Sequence, residues 1–240
     1  MPPAPPLDHA RRPYRSLARQ RQAEETRRRM LAAARELLLK KGYAGTTLDA
    51  IAEAAEISPK TVSAAFGSKR GILAELISPT AFGDRVQNLL GRLRGASDPL
   101  QRVQLVAQMT RQIYESLAPE FDLLRGAGTV APELADLGRQ IEARRRQNVA
   151  RLIGYLEEQR VLRPGVAPDE AVDVLWALTS YDLYRMLVGE GGWTLDRYED
   201  WLAQLLREQL LLDSPSGPGG VDPDGVGPGR VPSRQPGHAV

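Results

Sequence analysis

Residues 58–73, SPKTVSAAFGSKRGIL, contain two helix starts ten residues apart. Ser58 stands directly before Pro59, and a serine cap followed by proline at the first helical position is a strong start signal. Ser68 marks the second start, and a lysine lies within two residues of each serine. The stretch therefore predicts two short helices whose positively polarised N-termini carry basic side chains.

The residues before this stretch supply a third short element. Thr46 or Thr47 caps a helix over residues 47–54, and residues 55–57 form a corner before the helix at 59–65. These lengths are those of a helix-turn-helix. Helices this short need a partner, and a helix over 24–41 provides it. The predicted core of the unit comprises Ala52, Ala55, Ile57, Val62 and Phe66.

Charge is distributed unevenly along the 240 residues. The net charge of the whole chain is +2, but residues 1–77 carry +6 and the remainder carries −4. A basic first third is expected where one end of a protein meets a polyanion such as DNA, although a solvated arginine-rich arm would give the same balance.

Composition argues against several other classes of protein. The chain has no cysteine, which excludes disulfides and thiolate sites, and suits a cytoplasmic location. No apolar run approaches the ~18 residues of a membrane span, and the N-terminus lacks a secretory signal. The two histidines, His9 and His238, lie near the ends, and no nucleotide-binding, nucleophile or metal-ligand motif is present. Paired carboxylates such as Glu157 and Glu158 lie in a charged run that faces water. We expect neither an enzyme nor a cofactor.

Helical periodicity extends through most of the chain, so the predicted fold class is all-α. Domain boundaries follow from composition: a disordered basic arm over 1–22, a helix-turn-helix domain over 23–77, a helical bundle over 78–212, and a disordered Pro/Gly-rich tail over 213–240. The remaining predicted helices span 69–79, 84–95, 99–117, 119–126, 132–160, 168–188 and 195–212.

The run GYAGTTLDAIAEAAEISPKTVSAAFGSKRGILAEL, residues 42–76, resembles the DNA-binding domain of the TetR family of bacterial repressors. Five elements match in register: Gly42-Tyr43, Thr46-Thr47, Ile51-Ala52, Ser58 to Thr61, and Phe66 to Lys69. More loosely, residues 176–206 resemble the last two helices of actinobacterial-type members.

The resemblance implies an all-α homodimer that binds a palindromic operator on double-stranded DNA and releases it when a small-molecule effector binds. Helix N-termini suit phosphate oxygens, and exposed side chains of helix 59–65 suit base edges. The candidate DNA-binding residues are Arg28, Thr47, Lys60, Thr61, Ser63, Ser68 and Lys69. Arg15, Arg19 and Arg21 lie on the basic arm predicted over residues 1–22. This arm either binds in the minor groove or is a solvated tail without contact to DNA.

Three positions depart from the family pattern. Ser63 stands where a phosphate-binding tyrosine is usual, Ala65 replaces histidine or tyrosine, and Glu56 occupies a corner position that usually has glycine. Glycine suits a positive φ, so Glu56 is expected to carry strain unless the turn differs. These departures motivate an alternative function, an all-α scaffold whose helix-turn-helix no longer binds DNA.

The second domain is expected to hold an apolar effector pocket between residues 84 and 188, beside a mobile connection near Gly126 and Gly128. Its candidate wall residues, each of which would also suit plain core, are Tyr114, Phe121, Leu124 and Trp176. The helices at 168–188 and 195–212 are apolar on almost every side, which predicts a four-helix dimer interface. Its candidate residues are Leu175, Leu178, Leu202 and Leu205.

Overall fold

The computed structural model describes residues 11–79, 82–128 and 131–212, with the side chains of 11–18 left out. These residues form α1 (Arg11–Lys41), α2 (Leu48–Ala54), α3 (Pro59–Phe66), α4 (Lys69–Leu76), α5 (Asp84–Gly95), α6 (Pro99–Ala127), α7 (Pro132–Glu158), α8 (Pro168–Leu178), α9 (Tyr181–Tyr184), a π-helical segment (Arg185–Glu190) and α10 (Leu195–Leu210). The all-α prediction is confirmed.

Side-chain caps begin most of the short helices where the sequence predicts them. The hydroxyls of Thr47, Ser58 and Ser68 accept hydrogen bonds from the backbone N–H groups three residues later. The carboxylate of Asp98 begins α6, and the hydroxyl of Thr194 begins α10 in the same way. Each cap satisfies a donor that the helix leaves unpaired, which fixes the start to within one residue.

Helices α1 to α4 form the N-terminal domain around one apolar core. Ile51, Val62, Ile72 and Leu73 are fully buried in it. As predicted, Ala52 and Ala55 lie in the same core, with Ile57 and Phe66 packed against its edge.

Helices α5 to α10 form a bundle in which α6 contacts α5, α7, α9 and α10. Its fully buried residues include Leu156, Leu175, Leu202 and Leu206. The end of α10 returns to the connection between α7 and α8, where Arg163 N–H donates to the carbonyl of Leu210 at 2.9 Å. This pairing closes one end of the bundle.

The two domains share a packed junction. Leu124 of α6 and Leu134 of α7 are buried in the core of the N-terminal domain, and Phe121 packs against both cores. The guanidinium of Arg35 on α1 pairs with Glu120 on α6. These contacts join the predicted DNA-binding unit to the bundle.

The structure corrects the expected arm at residues 1–22. Residues 11–22 belong to α1, so Arg15, Arg19 and Arg21 lie on a helix rather than on a mobile arm. After Pro13, which a first helical turn tolerates, the run to Lys41 has neither glycine nor proline to stop it. Residues 1–10 and the tail over 213–240 lie outside the described residues.

Two predicted helix boundaries were wrong. Helix α6 continues through Pro119, whereas we expected a break there. Conversely, the predicted helix 168–188 is interrupted at Thr179 and Ser180, because Ser180 leaves helical geometry and caps α9. Packing outweighs local signals at both places: Leu117 and Glu120 on either side of Pro119 are buried, and buried Tyr114 donates to the Thr179 carbonyl at 2.9 Å. The connection expected to be mobile beside Gly126 also differs, since Gly126 lies within α6.

Candidate DNA-binding interface and bundle sites

Helix α3 is anchored from one side. Val62 is fully buried, whereas Lys60, Thr61 and Ser63 are exposed. The Thr61 hydroxyl lies 2.8 Å from the hydroxyl of Ser58, so the first turn is internally braced. The exposed face is polar and basic at its N-terminus, with the small side chain of Ala64 beside it. Such a face fits base edges and thymine methyl groups in a major groove.

The N-termini of α2 and α4 lie at the surface. Thr47 and Ser68 are exposed, and their hydroxyls accept from Ala50 and Gly71 at 3.1 Å. The cap satisfies one donor at each start, and the preceding helical N–H groups stay available to a phosphate.

Lys69 is held in place by Tyr43. Its ammonium donates to the Tyr43 carbonyl at 2.6 Å and lies 4.5 Å from the centre of the tyrosine ring. Burial, followed by the charge of Glu133, raises the pKa of Tyr43. An ammonium has three donors, so Lys69 keeps capacity for a phosphate oxygen while its position is fixed.

Sequence reasoning selected Arg28, which is exposed, and missed its neighbour Arg27. Arg27 pairs with both carboxylate oxygens of Glu75 and donates to the carbonyl of Ala65 at 3.3 Å. Its guanidinium also lies 4.5 Å from the centre of the Phe66 ring. Arg27 therefore ties α1 to the end of α3 and to α4. The only sequence signal is its helical spacing from Met30 and Ala34.

The structure explains the three departures from the family pattern individually. Glu56 has φ +55°, so the corner keeps the left-handed geometry that glycine would suit. Ser63 is exposed, so this position offers a short hydroxyl. Ala65 is half-buried and faces α1 through its carbonyl contact with Arg27.

The four candidate pocket residues are distributed over two adjoining cores. Tyr114 and Phe121 belong to an aromatic cluster, with ring centres 5.3 Å apart. Leu124 is buried in the other core, at the junction with the N-terminal domain. Trp176 lies between α7 and α8, where its indole N–H donates to Glu142 at 2.9 Å and Arg145 and Arg146 flank its ring. Phe121 also packs against the core that holds Leu124, and Trp176 packs against the core that holds Tyr114, so the common wall stays a prediction.

Sequence reasoning missed three tyrosines that complete the aromatic cluster, which we define as Tyr114, Phe121, Tyr181, Tyr184 and Tyr198. Successive ring centres are 5.1 to 5.4 Å apart, the spacing of stacked and edge-to-face pairs. Burial raises the pKa of Tyr114, Tyr181 and Tyr198, so these phenols stay protonated at neutral pH. The cluster forms because the chain breaks between α8 and α9. Apolar periodicity predicted one continuous helix over residues 168–188, and such a helix gives no indication that these tyrosines meet.

Two of the four candidate dimer residues face inward. Leu175 and Leu202 are 1% and 0% exposed within a single protomer, because they fill the bundle core. This finding corrects their assignment to an interface. Leu178 and Leu205 are half-buried, as are Val174 and Trp201. Of these, Leu178 and Trp201 pack against the edge of the bundle core. An apolar face remains, with different members.

Within residues 11–79, 82–128 and 131–212, none of the helices combines the length and apolar character that crossing a bilayer requires. The same part of the chain holds no group of three or more His, Cys, Asp or Glu side chains placed to bind a metal ion.

Comparison with known proteins agrees with this geometry. Residues 30–76 match the model of the family described as "Bacterial regulatory proteins, tetR family". A curated relative, the uncharacterized HTH-type transcriptional regulator YvkB of Bacillus subtilis (strain 168), is 45% identical over 53 residues. That match covers 22% of this chain and 28% of YvkB, so it is confined to about a quarter of the relative's length.

Solved structures extend the likeness to the bundle. Native NalD of Pseudomonas aeruginosa superimposes with a TM-score of 0.62 at 24% identity, covering 80% of this chain and 100% of NalD. SmeT, solved in complex with triclosan, gives a TM-score of 0.64 at 20% identity, covering 87% of this chain and 100% of SmeT. At these identities the likeness establishes the fold. The family likeness itself is carried by residues 30–76, the helix-turn-helix domain, which match the tetR family model.

Proposed function

We propose that the protein is a DNA-binding transcriptional regulator, a repressor that a small-molecule effector releases from a palindromic operator. The observation that carries the proposal is the exposed face of α3, where Lys60, Thr61 and Ser63 project around the buried anchor Val62. The exposed N-termini of α2 and α4 lie in the same small domain and suit the flanking phosphates. Residues 23–77 are the DNA-binding part of the chain, and residues 78–212 hold the effector and the dimer contacts.

The related structures support the ligand-responsive part of the proposal. NalD is the secondary repressor of the MexAB-OprM multidrug efflux pump, and SmeT was solved with triclosan bound. In this chain the aromatic cluster is the region that suits an effector, and it includes Tyr114 and Phe121 of the wall predicted from sequence. The finer assignment to actinobacterial-type members rests on residues 176–206 alone and stays a prediction.

The test begins with selection of a preferred operator from random duplexes, followed by mobility shifts with variants. Lys60→Ala and Thr61→Ala are expected to change base preference, because their side chains lie on the exposed face of α3; each lost contact costs about 1–3 kcal/mol. Lys69→Ala is expected to weaken all duplexes about equally and to lower the salt dependence by about one phosphate contact.

Arg207→Ala is the matched control, because it removes one exposed charge from α10 in the bundle. It should leave both affinity and preference unchanged. If the wild-type protein binds no duplex with a steep salt dependence, the scaffold alternative replaces the regulator. If it binds DNA but Lys60→Ala changes neither affinity nor preference, α3 does not read the bases through Lys60.

A further inference from the structure

Tyr198 on α10 differs from Tyr114 and Tyr181 of the aromatic cluster in the hydrogen bonding of its hydroxyl. Its side chain is 0% exposed, and its hydroxyl has no hydrogen-bond partner among the described residues. Its ring meets Tyr184 edge-on, with centres 5.2 Å apart. A buried hydroxyl without a partner is uncommon and destabilising, and it therefore requires an explanation such as a missing ligand.

Two neighbouring hydroxyls in the cluster are satisfied. Tyr114 donates to the carbonyl of Thr179 at 2.9 Å, and Tyr181 donates to the carbonyl of Ala118 at 3.0 Å. The packing of the bundle can therefore supply acceptors to phenols. A tyrosine hydroxyl carries its proton at neutral pH, and burial raises the pKa of Tyr198 further. This hydroxyl is therefore a donor without an acceptor among the described residues.

The π-helical segment packs against α10, which carries Tyr198, and follows α9 directly. Arg185 begins the segment, and its Nε–H group is also buried without a partner among the described residues. The segment leads to Gly191 and to Gly192, whose φ is +66°. Short π-helical turns frequently occur at functional sites and are less regular than α-helix. Arg185 follows Tyr184 directly, and the Tyr184 ring meets that of Tyr198, so the π-helical segment and its unpaired donor begin one residue beyond a contact of Tyr198.

The guanidinium groups around the cluster are committed to partners, although the exposed carboxylate of Asp122 also acts on Tyr181. Each nearby guanidinium has its own carboxylate partner: Arg111 with Asp196 and Glu199, Arg145 with Glu142, and Arg185 with Glu190. A buried ion would need a partner of opposite charge, and these partners are already committed. The site is therefore suited to an uncharged molecule.

We propose that the effector is an uncharged, largely apolar ring compound with a carbonyl, ether or phenolic oxygen, and that this oxygen accepts a hydrogen bond from Tyr198. The ligand inserts between the Tyr198 hydroxyl and the π-helical segment, with its apolar part against the rings of Tyr184 and Tyr114. This inference rests on the proposed function, since it names the chemistry of the effector and the residue that anchors it.

The experiment compares four probes of one shape: naphthalene, 2-acetylnaphthalene, 2-naphthoate and (2-naphthylmethyl)trimethylammonium. Binding to the full chain is measured by titration calorimetry. We expect 2-acetylnaphthalene to bind most tightly, and Tyr198→Phe to weaken it about tenfold without changing the affinity for naphthalene, since one neutral hydrogen bond is lost. Tyr155→Phe is the matched control, because the hydroxyl of Tyr155 donates to Ser97 on the outside of the bundle.

If Tyr198 has only a structural role, Tyr198→Phe changes the affinities for 2-acetylnaphthalene and for naphthalene by the same factor. An unchanged ratio of the two affinities in Tyr198→Phe therefore overturns the proposal, as does tighter binding of either charged probe or no binding by any probe. Operator release is measured separately by mobility shift. If 2-acetylnaphthalene binds through Tyr198 without releasing DNA, the site is supported and the proposed regulation fails; if DNA binds but no probe does, the site fails and the DNA-binding function remains.

Discussion

At the scale of single residues, the corner between α2 and α3 stores strain at a known position. Glu56 adopts φ +55°, which costs an ordinary L-residue about 1–2 kcal/mol. Glycine adopts this geometry without that cost but loses about 0.5–1 kcal/mol in chain entropy. We therefore expect Glu56→Gly to stabilise the protein by about 0.5–1 kcal/mol, measured as a shift of the urea unfolding midpoint.

The control for this substitution is Glu53→Gly, which places the same residue change in regular, exposed helix on α2. Helix propensity predicts a loss of about 1 kcal/mol there. Equal losses in the two variants would contradict strain at Glu56.

The same scale separates what the sequence could predict from what it could not. The left-handed corner was predictable, because Glu56 stands at a position where the family uses glycine. The role of Arg27 was not, because its helical spacing from Met30 and Ala34 places it near the core side of α1 without naming a partner. Only the fold, which brings Glu75 beside α1, selects Arg27.

At the scale of elements, predictions succeeded where local chemistry decides and failed where packing decides. The serine and threonine caps of α2, α3 and α4 were predictable because each satisfies a backbone donor within its own turn. The continuous α6 and the interrupted 168–188 segment were not, because the apolar pattern runs through both regions alike. The deciding contacts, such as the bond from Tyr114 to Thr179, join residues 65 positions apart.

The break before α9 can be tested at its cap. The Ser180 hydroxyl accepts from the Leu183 N–H at 3.3 Å, and its loss is expected to destabilise the protein by about 0.5–2 kcal/mol. Ser180→Ala is compared with Ser116→Ala by thermal and urea unfolding. Ser116 is exposed within α6 and bonds only locally, so its replacement by alanine should be neutral or slightly stabilising. Equal effects would mean that the Ser180 cap does not hold the break.

At the scale of the whole molecule, the buried phenols make stability depend on alkaline pH. Burial raises the pKa of Tyr114, Tyr181 and Tyr198 above the value near 10 of the unfolded chain. The folded state therefore binds more protons than the unfolded state above pH 10, and stability must fall as pH rises through that range. Below about pH 9 these groups contribute no pH dependence.

The expected slope is at most about 1.4 kcal/mol per pH unit for each tyrosine that stays protonated. Tyr198→Phe removes one such group, so urea unfolding between pH 9 and 11 should show a shallower decline than in the wild type. Identical slopes would contradict a buried, protonated Tyr198.

The predicted dimer pairs two copies of the whole molecule. The burial of its candidate residues changes which substitutions can test it. The sequence shows that α8 and α10 carry more apolar residues than one protomer should leave exposed, but it cannot say which of them the protomer covers itself. Because Leu202 belongs to the core, a charge there would unfold the bundle rather than separate subunits.

Leu178 and Leu205 are the informative positions, since both remain half-buried rather than buried within the protomer. We expect Leu178→Glu combined with Leu205→Glu to give a folded monomer at micromolar concentration, detected by light scattering with helical circular dichroism retained. Two half-sites about 34–36 Å apart need both recognition helices, so this variant should also lose its affinity for a full palindrome. Leu100→Glu, a charge on an apolar residue that is 41% exposed at the start of α6, should change neither property. A wild-type monomer, or a monomeric variant that holds the palindrome with native affinity, would show that recognition by this chain does not depend on pairing through α8 and α10.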